Sequence, residues 1–292
     1  MPDNPQDSIE RRNGIFFALS DHRVLELAGR DAVAFAQAQL MNEVAALPEG
    51  HWQWNGWLTP KGRVIALCAL VKRDAETLWL VLPDADPAEL AAKLQRYVFR
   101  SKVKLTPRDD LFVAGAFRAS DVAIGDAIAD GAAIELDFGG EGGARTLRIE
   151  TAPAIEDADA LARWKACDLA HGLPRLPPTQ AELWTPQMLS LERLRAFSVK
   201  KGCYPGQEIV ARTHFLGQVK RGLALFDADG PIEPGAEVHG DGNPPLGTIM
   251  SAVSVGDRHL ALAVLPLERN SDALSVNGMR LNERVLAGGL AR

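Results

Sequence analysis

KKGCYPGQE, which runs from Lys200 to Glu208, carries the strongest structural signal in the chain. Pro205 and Gly206 fit the two central positions of a type II turn, because proline presets φ and glycine accepts a positive φ. The residues from Gln207 onward have a pattern typical of the start of a helix. The sequence therefore predicts a stiff turn that leads directly into a helix N-terminus.

The same stretch places one thiol close to two cations. Cys203 follows Lys200 and Lys201, and neighbouring positive charge favours the thiolate, which is the reactive form of cysteine. Lys201 and Cys203 are two residues apart, so their side chains can lie on the same side of an extended segment. A lone cysteine is more often a small buried hydrophobe. We nevertheless predict that Cys203 and Lys201 form the catalytic pair of this protein.

Downstream of this stretch the chain changes to short β-type runs separated by Gly, Pro and Asp. Regularly spaced short strands with such turns are typical of a small antiparallel barrel or sandwich. We therefore predict a C-terminal β-barrel over residues 218–292. The boundary between this barrel and the preceding domain is a favoured place for a ligand cleft.

Upstream, residues 15–108 predict a first α+β domain. Its predicted strands cover residues 16–19, 24–28, 51–58, 63–72, 77–82 and 102–106, and its predicted helices cover residues 31–40 and 86–97. Asp86-Pro87 begins the second helix, because proline prefers the first helical position. The turn Thr59-Pro60-Lys61-Gly62 joins two of the strands as a hairpin.

A second α+β domain is predicted over residues 109–217, in a similar order of elements. Strands are expected at 111–117, 133–138 and 145–150, with helices at 120–129 and 156–171. Residues 172–186 are rich in proline and are expected to form a loop. Residues 1–14 mix acids, bases and prolines without an apolar core, so we expect a flexible tail rather than a targeting segment.

Composition limits the classes of function. The 292 residues carry a net charge of −6, which argues against a non-specific nucleic-acid binder but leaves room for a local basic patch. The three cysteines are widely spaced without a CxxC pair, which is typical of a reduced, cytoplasmic protein. No metal site can be read from the scattered histidines. Three thiols also cannot supply the four thiolates of a common iron–sulfur cluster within one chain.

KGCYPGQE resembles the KGCYxGQE signature of the YgfZ-type folate-binding proteins, relatives of the glycine-cleavage T-protein (aminomethyltransferase), and every fixed position is filled. Lys61-Gly62-Arg63, residues 97–103 and the stretch from Trp184 to Gln187 resemble further segments of that family. The family usually has asparagine at the position of Ser190 and glycine near Arg195. The resemblance implies an α+β fold with two ferredoxin-like portions and a C-terminal antiparallel β-barrel, arranged as a T-protein-like three-domain ring around a folate-sized opening.

The resemblance also implies tetrahydrofolate, or a one-carbon derivative of it, as the cofactor. A folate site needs aromatic walls, one polar group for the pterin edge and cations for the anionic tail. The predicted cofactor-binding residues are Trp164, Tyr204, Gln207, Glu208, Arg212, Lys61 and Arg63. Two alternatives stay open at this point. Glu208 and Arg212 also have the i,i+4 spacing of a simple ion pair, and large aromatic residues such as Trp52, Trp54, Trp57 and Trp184 are more often core than ligand platform.

Three functions are consistent with these features. The leading hypothesis is a folate-binding protein that supports iron–sulfur cluster assembly or repair, including the clusters of tRNA-modifying enzymes, with Cys203 as its key thiol. The alternatives are a folate-dependent aminomethyl- or methyltransferase and a non-catalytic adaptor that docks cluster-carrier proteins. The partners implied are folate and iron–sulfur carrier or client proteins, with no membrane; direct contact with tRNA stays open.

Overall fold

The computed structural model describes residues 14–217, 219–240, 244–269 and 273–292. Apart from Gly14, the tail predicted for residues 1–14 lies outside these residues. The described chain forms three antiparallel sheets of five, five and six strands. No helix among these residues is long and apolar enough to cross a bilayer.

The first sheet has the strand order β3-β4-β5-β2-β6. Its strands are β2 (Arg23–Ala28), β3 (His51–Leu58), β4 (Val64–Lys72), β5 (Thr77–Leu82) and β6 (Lys104–Pro107). Helices α1 (Ala32–Gln39) and α2 (Pro87–Gln95) cover one face, where Phe35 and Leu94 share a core cluster with Leu80. As predicted, Asp86 begins α2, because its carboxylate accepts hydrogen bonds from the amides of residues 88 and 89.

The second sheet has the order β1-β7-β10-β9-β8. Its strands are β1 (Phe17–Ala18), β7 (Phe112–Ala116), β8 (Ala129–Asp130), β9 (Ile134–Asp137) and β10 (Thr146–Glu150), and the long helix α3 covers Ala158–Ala170. Strand β1, which the sequence grouped with the first α+β unit, pairs with β7 in this sheet, with Phe17 opposite Gly115. The chain therefore crosses from one sheet to the other immediately after its first strand.

The helix predicted over residues 120–129 is wrong. This segment forms turns that end in β8, and only Ala123 among residues 120–129 is buried. Ser120 Oγ accepts hydrogen bonds from the amides of residues 122 and 123, and the carboxylate of Asp137 accepts one from Gly125, whose φ is +62°. Serine can satisfy the backbone locally in place of a helical ladder. Because the segment has no buried apolar face, no packing energy favours a helix over these local hydrogen bonds.

The third sheet forms the C-terminal barrel, with the order β12-β13-β14-β11-β16-β15. Its strands are β11 (Arg221–Ala228), β12 (Glu237–Val238), β13 (Gly247–Val255), β14 (Arg258–Pro266), β15 (Leu274–Val276) and β16 (Met279–Arg284). His239, directly after β12, exchanges two backbone hydrogen bonds of 2.9 Å with Ser275 of β15. This bridge joins the two edge strands, so the sheet closes on itself and leaves few unpaired edge groups.

An aromatic core joins the first two sheets face to face. Trp52 and Trp54 of β3 contact Phe138 at ring-centroid distances of 5.0 and 5.3 Å, and Phe138 lies 5.8 Å from Trp164 of α3. All four side chains are fully or almost fully buried. Trp52 and Trp54 are therefore core residues, which is one of the two interpretations that the sequence left open for them. Such aromatic clusters bury large apolar areas and hold the two α+β portions together.

A buried charge network joins all three sheets at Arg175. Its guanidinium binds Asp84 at 2.9 Å and Asp21 at 2.8 Å, both from the first α+β portion, and lies 3.9 Å from Asp168 of α3. Its backbone exchanges hydrogen bonds of 3.0 and 2.9 Å with the hydroxyl of Ser251 in the barrel. The three carboxylates raise the pKa of Arg175 against the opposing effect of burial.

Candidate functional site

The KKGCYPGQE segment is docked against the first sheet through Lys201. The side chain is 5% exposed, and its Nζ donates to the carbonyls of Leu40 (2.6 Å) and Asn42 (2.9 Å) at the end of α1. Burial lowers the pKa of Lys201 to about 8, although the charge of Glu43 opposes this shift. The lysine therefore ties the segment to a chain region about 160 residues away in sequence.

The predicted turn is present. Gly206 has φ +80° and ψ −3°, which are the values of the third residue of a type II turn, and the amide of Gln207 donates to the carbonyl of Tyr204 at 3.1 Å. Helix α4 (Gln207–Phe215) follows directly. The predicted link between turn and helix is confirmed.

The turn lies against the tip of the hairpin that joins β3 and β4. A Cβ atom built on Gly206 would lie 2.6 Å from the carbonyl oxygen of Thr59 and 2.7 Å from the Cα of Gly62. One built on Gly62, where φ is +70°, would lie 2.9 Å from Ile209 in α4. The two backbones therefore approach so closely that only glycine fits at both positions.

Two other signature residues hold the segment in shape. Gln207 Nε2 donates to the carbonyl of Lys201 at 2.8 Å, and the hydroxyl of Tyr204 donates to the carbonyl of Ser198 at 3.0 Å. Burial raises the pKa of Tyr204 to about 12, so the phenol stays protonated at neutral pH. The ring of Tyr204 also lies 5.0 Å from the ammonium of Lys201.

Cys203 is exposed at the outer surface of this rigid segment, and Lys200 beside it is exposed too. The other two cysteines differ, since Cys68 is buried and Cys167 is half-buried, and burial raises the pKa of both thiols. The structure thus directs Lys201 inward and Cys203 outward. The inward ammonium is bound by carbonyls, which makes it an anchor for the segment that carries the thiol.

The predicted ligand-contacting residues fall into two groups. Trp164 is fully buried against Gly115 and under the guanidinium of Arg145, which lies 4.6 Å from the ring centroid. By contrast, Lys61, Glu208 and Arg212 are exposed around the hairpin tip and α4. Only this second group can meet a ligand without a rearrangement of the core.

Arg63 and the neighbouring Trp184 are half-buried beside the same hairpin. Arg63 Nη1 donates to the carbonyl of Leu183 at 2.6 Å, and the indole of Trp184 donates to Gln180 at 3.0 Å. The ion pair considered for Glu208 and Arg212 is not formed: within the described part of the chain, no salt bridge of 4.0 Å or less joins them. Both side chains are hydrated at the surface, where such a pair adds little stability.

Sequence reasoning missed the polar residues that hold the segment from below. Asn42 donates from Nδ2 to the carbonyls of Trp54 (2.9 Å) and Arg195 (2.7 Å), and its amide donates to the side chain of Asn55 at 2.9 Å. Asn55 is fully buried in β3. An asparagine inside a strand rich in tryptophan is a visible sequence signal, because a buried amide needs hydrogen-bond partners.

Two residues that precede the signature segment have an unusual backbone. Ser190 and Arg195 flank a short 3₁₀ helix (Leu191–Leu194) and both adopt the left-handed region, with φ of +47° and +55°. Asparagine and glycine enter that region most readily.

Two further cavities lie between elements of the described chain. One of about 410 Å³ lies between α2 and the loop after α3, with Asp84, Leu90 and Leu176 among its walls. Another of about 180 Å³ is lined by residues of all three sheets or their helices, including Asp84, Lys165 and Ser251. Neither has a signature residue in its lining. No group of three or more His, Cys, Asp or Glu side chains suited to a metal ion occurs in the described ranges.

Lys201 leads to a prediction about stability and pH. Its pKa of about 8 in the folded state lies below the usual value of 10.5, so the unfolded chain binds more protons between these two values. The contribution of Lys201 to the free energy of unfolding is therefore expected to rise with pH above about 8. Chemical denaturation at pH 7.5 and 9.5 should show this rise in the parent protein and in Lys200→Met, but not in Lys201→Met. An equal rise in all three would contradict the assignment.

Comparison with known proteins places the chain among bacterial relatives of similar length. It is 31% identical over 284 residues to an uncharacterised protein of Haemophilus influenzae, covering 93% of this chain and 95% of that one. It is 28% identical over 274 residues to the tRNA-modifying protein YgfZ of Cronobacter sakazakii (85% and 83% covered). The corresponding protein of Klebsiella pneumoniae is 26% identical over 291 residues (91% and 89% covered). No protein-family model matches the chain.

Among solved structures, the glycine cleavage system aminomethyltransferase T of Bartonella henselae is similar, with a TM-score of 0.64 over 97% of this chain and 88% of that one. The sequence identity is 12%, so this likeness concerns the fold, and it confirms the predicted T-protein-like arrangement of two α+β portions and a barrel. The signature, the full-length relatives and the fold agree, and the chain belongs to the YgfZ family.

Proposed function

We propose that this protein binds a reduced folate and supports iron–sulfur cluster assembly or repair, including the clusters of tRNA-modifying enzymes, with Cys203 as the acting thiol. The observation that carries the proposal is the construction of the signature segment. Three buried or half-buried side chains (Lys201, Tyr204 and Gln207) fix its shape from inside, while Cys203 stays exposed. A thiol needed only for packing would not be placed at the surface of a rigid turn.

The residues around this segment fit a folate. Lys61 and Arg212 offer two exposed cations for the glutamate carboxylates, and Glu208 offers a carboxylate for the donor edge of the pterin. Trp184 is half-buried beside the hairpin, where the amide of Val64 donates to its carbonyl, and offers aromatic surface for the ring system. A bound tetrahydrofolate would supply a carrier for a one-carbon unit. Trp164, Tyr204 and Gln207 would act indirectly, by shaping the site.

Iron–sulfur clusters would be cargo for this protein. All three cysteines lie in the described part of the chain, and only Cys203 is exposed. One thiolate cannot hold a cluster alone, so a cluster at this surface would keep ligands from a carrier or client protein. Lys200 beside the thiol would attract the negative charge of a thiolate-ligated cluster.

The thiol role predicts a clear difference between two cysteine variants. Cys203→Ser is expected to abolish support of cluster-dependent tRNA-modifying enzymes in cells that lack the native protein. Cys167→Ser removes a half-buried thiol and should keep that support. The modified nucleosides of total tRNA can be measured by mass spectrometry, with protein level followed in parallel. Full modification with Cys203→Ser at normal protein level would exclude the thiol role.

Folate binding is tested separately by calorimetry with tetrahydrofolate. Arg212→Ser and Lys61→Ser should each weaken binding by about tenfold, since each removes one charge-assisted contact. Arg280→Ser, an exposed arginine of the barrel, is the matched control and should bind as the parent does. Equal affinity in all four proteins would place the folate elsewhere.

Production of methylene- or methyl-tetrahydrofolate by the purified protein with a one-carbon donor would favour the transferase alternative. Capture of a cluster carrier without any folate binding would favour the adaptor.

A further inference from the structure

The first α+β portion carries a run of positive charge that the proposed function does not use. Residues 90–108, from α2 through β6, contain six Lys or Arg and no Asp or Glu, although the whole chain has 38 acids and 32 bases. Two of these cations have a carboxylate close by: Lys93 lies 3.9 Å from Glu182, and Arg108 binds Glu26 at 2.6 Å. The other four are exposed, and they are Arg96, Arg100, Lys102 and Lys104.

These four cations lack partners within the protein. In the described ranges no salt bridge of 4.0 Å or less, and no side-chain hydrogen bond, involves any of them. A fifth cation, Arg30, lies beside them, because the backbone of Gly29 packs directly on that of Lys102. Two carboxylates lie at the margin: Asp31, 3.9 Å from Arg30, and the exposed Glu76, whose carbonyl accepts from the amide of Gly29. The surface therefore keeps an excess of positive charge.

An aromatic ring protrudes from the middle of this surface. The amide of Ser101 donates to the carbonyl of Val98 at 2.8 Å, so Phe99 and Arg100 are the central residues of a tight turn. Phe99 is 88% exposed, and its φ of +43° lies in a region that aromatic residues seldom enter. A ring so exposed adds little to core packing. The turn instead presents it to solvent, with cations on both sides.

The combination of unpaired cations and one protruding ring favours a particular class of partner. Single-stranded nucleic acids bind to surfaces on which cations follow the phosphates and an aromatic side chain stacks on a base. A duplex keeps its bases stacked on one another and offers none to the ring. Attachment to a membrane requires a larger inserted apolar face. Here the neighbouring Tyr97 is 38% exposed and its ring packs at 6.0 Å against Trp57.

We propose that this surface binds an unpaired segment of RNA, with one base stacked on Phe99 and the phosphates held by the surrounding cations. We call it the basic turn surface, and it consists of Arg30, Arg96, Phe99, Arg100, Lys102 and Lys104. The choice of RNA rests on the function proposed above, because the enzymes that the protein would support modify tRNA.

The basic turn surface adjoins the region on which the signature segment is anchored. Tyr97 packs against Trp57 of β3, and Trp57 forms a β-bridge with Leu40. The carbonyl of Leu40 accepts the hydrogen bond from Lys201. The proposed RNA surface and the segment that carries Cys203 are thus joined through the same edge of the first sheet.

Fluorescence anisotropy with a labelled oligouridine of about twelve nucleotides tests the proposal. We expect a Kd in the micromolar range at low salt, and a fall of log K with log salt of slope about −3, since about four cations meet phosphates. A duplex RNA of the same length should bind at least about fivefold more weakly, because its bases cannot stack on Phe99. No saturable binding of oligouridine, or equally tight binding of the duplex or of polyglutamate, would overturn the proposal.

Variants locate the binding. Phe99→Asn removes the ring and suits a left-handed backbone, so it should fold and weaken oligouridine binding by about tenfold. Phe99→Tyr keeps a ring and should bind as the parent does. Lys102→Ser should weaken binding and make the salt slope shallower by about 0.7. Arg280→Ser, in the barrel, is the matched control and should leave binding unchanged. Parent-like affinity in Phe99→Asn or in Lys102→Ser would exclude this surface.

The measurement is independent of the thiol and of folate. It is made without tetrahydrofolate, and Cys203→Ser should bind oligouridine as the parent does. A failure of RNA binding would therefore leave the roles proposed for Cys203 and folate in place, and a failure of those roles would not change the affinity for oligouridine.

Discussion

Replacement of Arg175 by methionine is expected to destabilise the protein by about 3–5 kcal/mol, the usual cost of removing one partner from a buried ion pair. The side chain is 8% exposed and binds Asp21 and Asp84, and the change would remove one cation from each of these carboxylates. Methionine keeps most of the side-chain volume, so the loss would reflect charge rather than a cavity. Urea denaturation followed by circular dichroism measures it.

An exposed arginine–aspartate pair provides the control. Arg30 lies 3.9 Å from Asp31 with 70% of its side chain exposed, and Arg30→Met is expected to change stability by less than about 0.5 kcal/mol. A similarly small effect of Arg175→Met would show that the network contributes nothing to the joining of the three sheets.

The same network predicts acid sensitivity. Burial would raise the pKa of Asp21, but the hydrogen bond and charge of His22, together with Arg175 and Lys165, lower it well below the usual 3.8. The folded state therefore binds fewer protons than the unfolded state, so this stabilisation is present above about pH 4 and is lost as the pH falls further. Arg175→Met should be less sensitive to pH in that range than the parent.

Gly206→Ala is the second change with a large expected effect, about 2–4 kcal/mol of destabilisation. The residue has φ +80°, and the added methyl group would meet the backbone of Thr59 and Gly62 at 2.6–2.9 Å. Because those atoms belong to backbone, the hairpin tip and the signature turn must move apart. We expect weaker tetrahydrofolate binding together with the loss of stability, since Lys61 and Cys203 would no longer be held in their relative positions.

Gly278→Ala is the control that separates the cost of a left-handed backbone from the cost of the steric clash at Gly206. Gly278 has nearly the same φ, +79°. Apart from Gly278 itself and the two adjacent residues, no described residue has an atom within 4 Å of a Cβ built there. Its cost should be only the left-handed penalty of about 1–2 kcal/mol, without an effect on folate. If both alanine variants lost the same free energy of unfolding, the close contact between the hairpin tip and the signature turn would contribute nothing to the effect of Gly206→Ala.

Local sequence signals predicted the elements that depend on a few neighbouring residues. The Pro205-Gly206 turn, the start of α2 at Asp86 and the short strands of the barrel all follow from backbone preferences within a few positions. The prediction of a helix over residues 120–129 was wrong because a helix also depends on tertiary packing. Its composition allowed a helix, but no face of the segment had a core to pack against.

The signature by itself predicted the family, because its seven fixed letters are a local property of the chain. Only the tertiary structure decided where its side chains point. The sequence placed Lys201 beside Cys203, yet the ammonium is bound by carbonyls 161 and 159 positions earlier, which no local pattern encodes. Likewise, Arg175 becomes significant only where distant carboxylates meet it. Burial and hydrogen-bond partners from remote segments set those roles, because a charged group inside a protein must find its partners wherever the fold supplies them.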